Sequence, residues 1–367
     1  MKKFLALALA ALILACGTLA GAEADGPGLR LLSMLYDGEH NQIVSPVSLA
    51  YALDMAAMGA AGATREEIEA ALDGADPASW NEPLSASGLK LADAAFIRDD
   101  LTVKQDYIDA LKARYGAEIF GLNDVEAVNA WVSEQTDGLI DQLAESLDPR
   151  TRMLLVNAIA MDAEWAHAFE PDDTREDVFH APAGDVTADF MTDTFEMPYG
   201  ESDLGQFIRL DYRDSGLYML ALLPKEGRME DTLQALAEDW QGCFEGMTRR
   251  EVWLRLPKLD ASASNSLSGE LQALGIRRAF TEEADFSGIS DEPLYIDDVI
   301  QKARVQMDEA GTKAAAATEV VMLAKGLDLD KEPPVDLRVD RPYIFLIAEE
   351  STGAVCFAGV VCDPTQH

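Results

Sequence analysis

Four histidines and four cysteines are the residues of this 367-residue sequence best suited to proton transfer, nucleophilic attack or metal binding. His40, His167, His180 and His367 are scattered through unlike contexts, and no His-Glu-x-x-His, Cys-x-x-Cys, Gly-x-Ser-x-Gly or phosphate-binding glycine loop accompanies them. Gly59-Ala60-Ala61-Gly62 is too short to cradle a phosphate and reads as helix packing. The expectation is therefore a protein with no catalytic residue, no metal and no cofactor. Cys356 and Cys362, six residues apart on one apolar run, would lie roughly 20 Å apart in a strand. A disulfide needs Cα atoms within about 7 Å, so buried free thiols are expected, with Cys243 also unpaired.

The unusual chemistry lies in a stretch that catalyses nothing, Glu309–Lys325. Ala314, Ala315, Ala316 and Ala317 favour helix by propensity, yet they follow Gly311, lie between Thr312 and Thr318, and lead to Val320-Val321. With a period of two, Thr312, Ala314, Ala316 and Thr318 share one face, small enough for a crowded interior; Lys313, Ala315, Ala317 and Glu319 share the other. Such a segment fits either a loop or a strand placed between two existing strands.

Glu309-x-Gly311-Thr312-x-Ala314-Ala315-Ala316-Ala317-Thr318 resembles the reactive-loop hinge of the serpins, the serine protease inhibitors. The resemblance runs from about Pro27 to Pro364. Its other carriers are Asn41-Gln42-Ile43-Val44-Ser45-Pro46-Val47-Ser48, the Asn129–Ile140 segment around Trp131, Asn157 followed by Trp165, and Ala284-Asp285-Phe286-Ser287-Gly288-Ile289. It implies an α+β fold with a large central mixed sheet, smaller sheets, eight to nine helices and an exposed reactive loop over about 309–333. It also implies that the scissile bond lies fourteen residues after Gly311, between Lys325 and Gly326. A lysine there would present an ammonium to the acidic pocket of a trypsin-like protease. The implied partner is that protease, held covalently as an acyl-enzyme by a monomeric inhibitor. Glu309, Gly311, Thr312, Ala314, Ala316 and Thr318 form the hinge; Ser45, Ser48, Asn157, Trp165 and Gln301 are implied to cluster where the sheet opens. Gln301 stands where many serpins carry a histidine that bonds near Asn157. Gln can donate and accept, as that latch requires, but does not titrate near neutral pH.

Two departures leave alternatives open. The segment from Gly326 to Pro333-Pro334 is longer than in typical serpins, so cleavage near Leu323-Ala324, by an elastase-like or cysteine protease, or at Lys331 also stands. A non-inhibitory serpin acting as a binding protein is a further alternative, against which the small hinge residues argue.

Around these residues the sequence places ordinary supports. Ser45 caps a helix with Pro46 in its first turn, and Thr64-Arg65-Glu66-Glu67 reads as a capping box. Residues 75–88 and the polar segment after Pro257 read as loops, Leu89–Ile97 and Thr151–Ala160 as strands, Phe207–Tyr212 with Leu217–Leu223 as a hairpin, and 341–348 with 354–361 as paired buried strands. Lys2 and Lys3 precede an apolar run, Phe4–Ala15, of signal-peptide length and too short to span a membrane. Cleavage after Ala22 and a lipoprotein-type cleavage before Cys16, Ile13-Leu14-Ala15-Cys16, both stand; either puts the mature chain outside the cytoplasm, secreted or lipid-anchored. Residues 1–22 are thus a signal peptide and 25–367 one domain. The net charge of −37 excludes nucleic acid as a partner and leaves a lipid on Cys16 as the one route to a membrane.

Overall fold

The computed structural model describes residues 27–148, 150–312 and 333–366. The signal segment, Ala314, Ala316, Thr318, Leu323-Ala324, Lys325-Gly326 and Lys331 lie outside the described residues. In chain order the elements are α1 (Gly28–Leu35), β1 (Gln42–Val44), α2 (Pro46–Gly59), α3 (Gly62–Ala71), α4 (Asn81–Ala86), β2 (Lys90–Ile97), α5 (Gln105–Tyr115), β3 (Glu118–Gly121), α6 (Val125–Gln135), β4 (Met153–Ala160) and β5 (Ala163–Glu164). Then follow β6 (Arg175–Ala181), β7 (Gly184–Glu201), β8 (Gly205–Asp211), β9 (Leu217–Pro224), α7 (Met229–Cys243), β10 (Thr248–Pro257), β11 (Leu259–Ser266), α8 (Ser268–Ala273), β12 (Ile300–Met307), β13 (Gly311–Thr312), β14 (Val335–Arg338), β15 (Tyr343–Glu349) and β16 (Val355–Val361).

The α+β architecture is as expected. A nine-stranded sheet runs β1-β16-β15-β9-β8-β7-β10-β14, with β6 also on β7; its β10–β14 pair is parallel and its other pairs antiparallel. β15 and β16 are buried along their whole length, as their unbroken apolar runs require. On β10, Val252, Leu254 and Leu256 face the core while Trp253 stays exposed. The rest of the β-structure falls into two sheets, β11-β12-β13-β5 and β3-β2-β4. Met161 and Asp162 alone separate β4 from β5, so the two sheets share a continuous chain.

The core is sandwiched around α2. Ser45 Oγ accepts the Ser48 amide (3.2 Å) and Pro46 opens the helix. The side chains of Val47, Leu49, Ala50, Tyr51, Leu53 and Met55 are all buried, so the helix packs on every side rather than along one stripe.

Three local expectations are corrected. Thr64 does not cap α3, which starts at Gly62 behind an uncapping Ala61. Its buried hydroxyl instead accepts the Asp285 amide (2.9 Å), and Glu67 accepts the amides of Arg277 and Arg278 (2.8 and 2.7 Å). Residues 75–88 are not a loop: a 3-10 turn, Pro77–Trp80, runs into α4, because Trp80 and Leu84 find burial in the core and Asn81 bonds Tyr51 Oη (2.5 Å) and the Arg114 carbonyl (2.8 Å). The polar segment after Pro257 is a strand, β11, carried by a continuous ladder to β12 from Leu259–Met307 to Ser266–Ile300; its serines are tolerated because one edge and much of its surface face water. Among the described residues Cys243, Cys356 and Cys362 are free thiols, the last two buried, in line with the sequence.

Candidate functional site

The hinge is built at the end of β12. Asp308 Oδ1 accepts the amides of Ala310 (2.9 Å) and Gly311 (3.3 Å), and Asp308 N–H donates to the Gly311 carbonyl (2.9 Å), closing a tight turn. That turn returns the chain beside β12 as β13, where Thr312 pairs with Met307 on one side and Ala163 on the other. Gly311 pairs with Glu164, and a Cβ at Gly311 would lie 2.1 Å from the Ala163 carbonyl oxygen; only glycine permits this approach.

Trp165 and Phe169 hold the outer side of the turn. Trp165 N–H donates to the Ala310 carbonyl (2.8 Å), its indole Nε1–H to the Asp308 carbonyl (2.9 Å), and Phe169 N–H to the Glu309 carbonyl (2.9 Å). The Trp165 ring stacks on Tyr212 at 4.4 Å, and the Tyr212 hydroxyl meets Thr312 Oγ1 at 2.6 Å. Thr312 is 3% exposed. Burial, first, pushes the Tyr212 phenol far above its ordinary range, so it stays a neutral partner. Glu309 is tied by Thr174 Oγ1 (2.6 Å) and Lys258 Nζ (2.9 Å). Burial opposes its ionisation, but these two contacts outweigh burial and lower its pKa.

Among the described residues β4 pairs only with β2, and β12 pairs with β11 along its length but with β13 at Met307 alone. Where β13 lies between β5 and β12, the flanking strands are two inter-strand spacings apart, about 9.5 Å. Beyond Met307, β4 and β12 each have one side without a strand partner among the described residues. Lys302 Nζ and Arg304 of β12 donate to the carbonyls of Gln142 and Leu139 (2.7 and 3.5 Å), so the chain after α6, whose helix packs on β2 and β4, bridges the two edges.

The implied sheet-opening cluster is divided between these halves. Gln301 and Ser45 meet in a two-bond pair: Gln301 Nε2 donates to the Ser45 carbonyl (2.8 Å) and Ser45 N–H to Gln301 Oε1 (3.0 Å). Ser45 Oγ donates to the Cys356 carbonyl (2.7 Å), and Ser48 contributes its amide to the cap. Asn157 is not part of this group; it donates to Asp93 Oδ1 (3.0 Å) on β2. The Gln301 amide turns both its donor and its acceptor atom toward the Ser45 backbone rather than toward Asn157. Trp165 belongs to the hinge. Tyr212, Lys258, Thr174 and Asp93 are not legible in the sequence, since each reaches its partner from a distant part of the chain, whereas Asp308 adjoins the hinge and its turn-closing role is a local signal that the sequence reading missed.

The chain that follows β12 thus turns back and pairs between β12 and β5 at Gly311 and Thr312. A family model described as "Serpin (serine protease inhibitor)" matches residues 25–364, and the chain belongs to the serpin family. It is 35% identical over 356 residues to an uncharacterized serpin-like protein of Thermococcus kodakarensis, covering 91% of this chain and 83% of that one. It is 31% identical to alpha-1-antiproteinase of Rattus norvegicus, covering 89% and 84%. Among solved structures it is similar to the thermophilic serpin tengpin in the native state (TM-score 0.84, 27% identity, 93% of both chains). It is also similar to thyroxine-binding globulin in complex with thyroxine (TM-score 0.81, 28% identity, 94% and 99%). Serpins are in general protease inhibitors rather than enzymes, although they react with their proteases.

Proposed function

We propose that this protein works outside the cytoplasm as a suicide inhibitor of trypsin-like serine proteases. The target's serine attacks the Lys325 carbonyl, the Lys325–Gly326 bond breaks with the amine leaving on Gly326, and an ester links protease to inhibitor. The chain from Thr312 to Lys325 then enters between β12 and β4 as a new strand. Fourteen residues at about 3.3 Å each carry the tethered enzyme roughly 46 Å before water completes hydrolysis. The observation that carries this reading is Thr312, already buried and paired between β12 and β5, which gives the next residues a formed ladder to extend. The Lys2-Lys3 and Phe4–Ala15 segment supports export, with lipidation of Cys16 as one of its two outcomes.

A carrier role is the second reading, favoured by the similarity to thyroxine-binding globulin. The test is a denaturing gel of the mature protein mixed with trypsin, followed by mass spectrometry of the loop. A covalent band at the summed mass with cleavage after Lys325, lost in Lys325→Glu, is expected. A clipped chain beside active trypsin overturns trapping; a covalent complex cut near Leu323-Ala324, or after Lys331, overturns the assigned bond.

A further inference from the structure

Asp93 and Asn157 are direct cross-strand partners on β2 and β4, the half of the divided sheet that lies away from β12. Both point to the α2 side. Leu91, Ala95, Leu155 and Ile159, of the same strand parity, pack there, whereas Ala94, Phe96, Val156 and Ala158 pack under α6. Asp93 is 6% exposed, and among the described residues no lysine, arginine or histidine pairs with it. Among the described residues its one polar contact is the Asn157 Nδ2–H bond at 3.0 Å. Asn157 Oδ1, beside it, is buried and has no hydrogen-bond partner among the described residues.

These facts form one pattern. An ionised carboxylate can only accept, so it leaves the Asn157 oxygen unsatisfied and its own charge unpaired, two penalties within one buried pair. A protonated carboxyl removes both. Asp93 Oδ2–H would donate to Asn157 Oδ1 while Asn157 Nδ2–H donates to Asp93 Oδ1, closing the ring that a carboxylic acid and an amide form.

We propose that Asp93 is held as a neutral acid that shares two hydrogen bonds with Asn157, a proton-dependent tie between β2 and β4. The surroundings agree. Tyr51 faces the pair from α2, but its hydroxyl is committed to Asn81 on α4, and the Cys356 thiol of β16 lies behind it. Burial raises both groups, so both are neutral. Burial, against the smaller opposing effect of the Asn157 bond, pushes Asp93 up to about 7. Around neutral pH the tie therefore changes from two bonds to one, with a charge left under the sheet. The inference does not rest on the protease-inhibitor reading.

The experiment is urea unfolding of the wild type and Asp93→Asn across pH, with the infrared spectrum of the wild type as a second measurement. The asparagine variant keeps the two-bond ring and cannot titrate. A folded-state pKa raised above the unfolded one means stability is lost as pH rises from the unfolded toward the folded value. The unfolding constant of the wild type relative to the variant should thus rise about tenfold per unit between about pH 5 and about pH 7, then level off. His40, raised by its bond to Asp37, contributes a fall in stability of the same sign, and is present in both proteins, so the ratio isolates Asp93. The wild type should also show a buried carboxylic-acid carbonyl band at pH 6 that fades by pH 8. Parallel pH profiles, or no such band, overturn the proposal; if the variant does not fold, the band decides alone.

Discussion

Replacing Thr312 by valine tests whether the hinge is anchored as the geometry indicates. Valine keeps the shape and the β-branched preference for a strand and removes only the hydroxyl. The Tyr212 hydroxyl, fully buried beneath the stacked Trp165 ring, then loses its 2.6 Å partner. An orphaned buried hydroxyl costs about 1–3 kcal/mol, a factor of roughly 5 to 150 in an equilibrium constant. Tyr212→Phe should cost a similar amount by orphaning the Thr312 hydroxyl. The double variant removes both partners and leaves nothing unsatisfied, so it should be no less stable than the weaker single variant. Urea unfolding of the four proteins supplies the cycle, and Trp165 fluorescence reports hinge position, since its indole bonds the Asp308 carbonyl. Two single costs that simply add, or a Thr312→Val cost below about 0.3 kcal/mol, would refute the claim that this hydroxyl pair holds β13 in the sheet.

Glu309 predicts an acid limit. Its pKa is lowered in the folded state, so the stabilisation is complete above the ordinary glutamate value of 4.5 and is lost as pH falls below it. Lys258→Met should shrink that acid-dependent loss, measured as thermal unfolding from pH 6 down to pH 3; an unchanged profile would remove Lys258 from the clamp. Gln301→Ala should cost about 2–4 kcal/mol, because the Ser45 N–H and carbonyl both lose a buried partner, whereas Gln301→Leu at closer volume should be no better. Equal stability of wild type and Gln301→Ala would mean water replaces the amide. Lys325→Glu should abolish the covalent trypsin complex while leaving urea unfolding of the uncleaved protein unchanged, separating target recognition from hinge anchoring.

Much of the frame follows from short-range pattern alone. Ser45 and Pro46 fix the start of α2 within four residues, the unbroken apolar runs of β15 and β16 can only be buried strands, and alternation at Thr312 already names the side chain that faces inward. The family resemblance, carried by motifs, extended that reading to the whole chain. Where the sequence misled, a residue with a convincing local role was committed to a distant one. Thr64 looks like a cap and instead binds the Asp285 amide, 221 positions away. The serines of β11 look like a loop until β12 supplies their ladder.

The candidate site divides along the same line. Residue type and spacing put Thr312 on a small, inward-capable face, and the family resemblance implied that it would be the first to enter a sheet. Only the tertiary structure decided what would receive the hinge: Tyr212, 100 positions from Thr312, and Lys258, 51 from Glu309. It alone sent Gln301 to the backbone of Ser45 and left Asn157 to Asp93. The reason is physical. Helix and strand periods act over a few residues and are written into the local order of side chains, whereas the partner of a buried polar group is set by which edges and layers meet after folding.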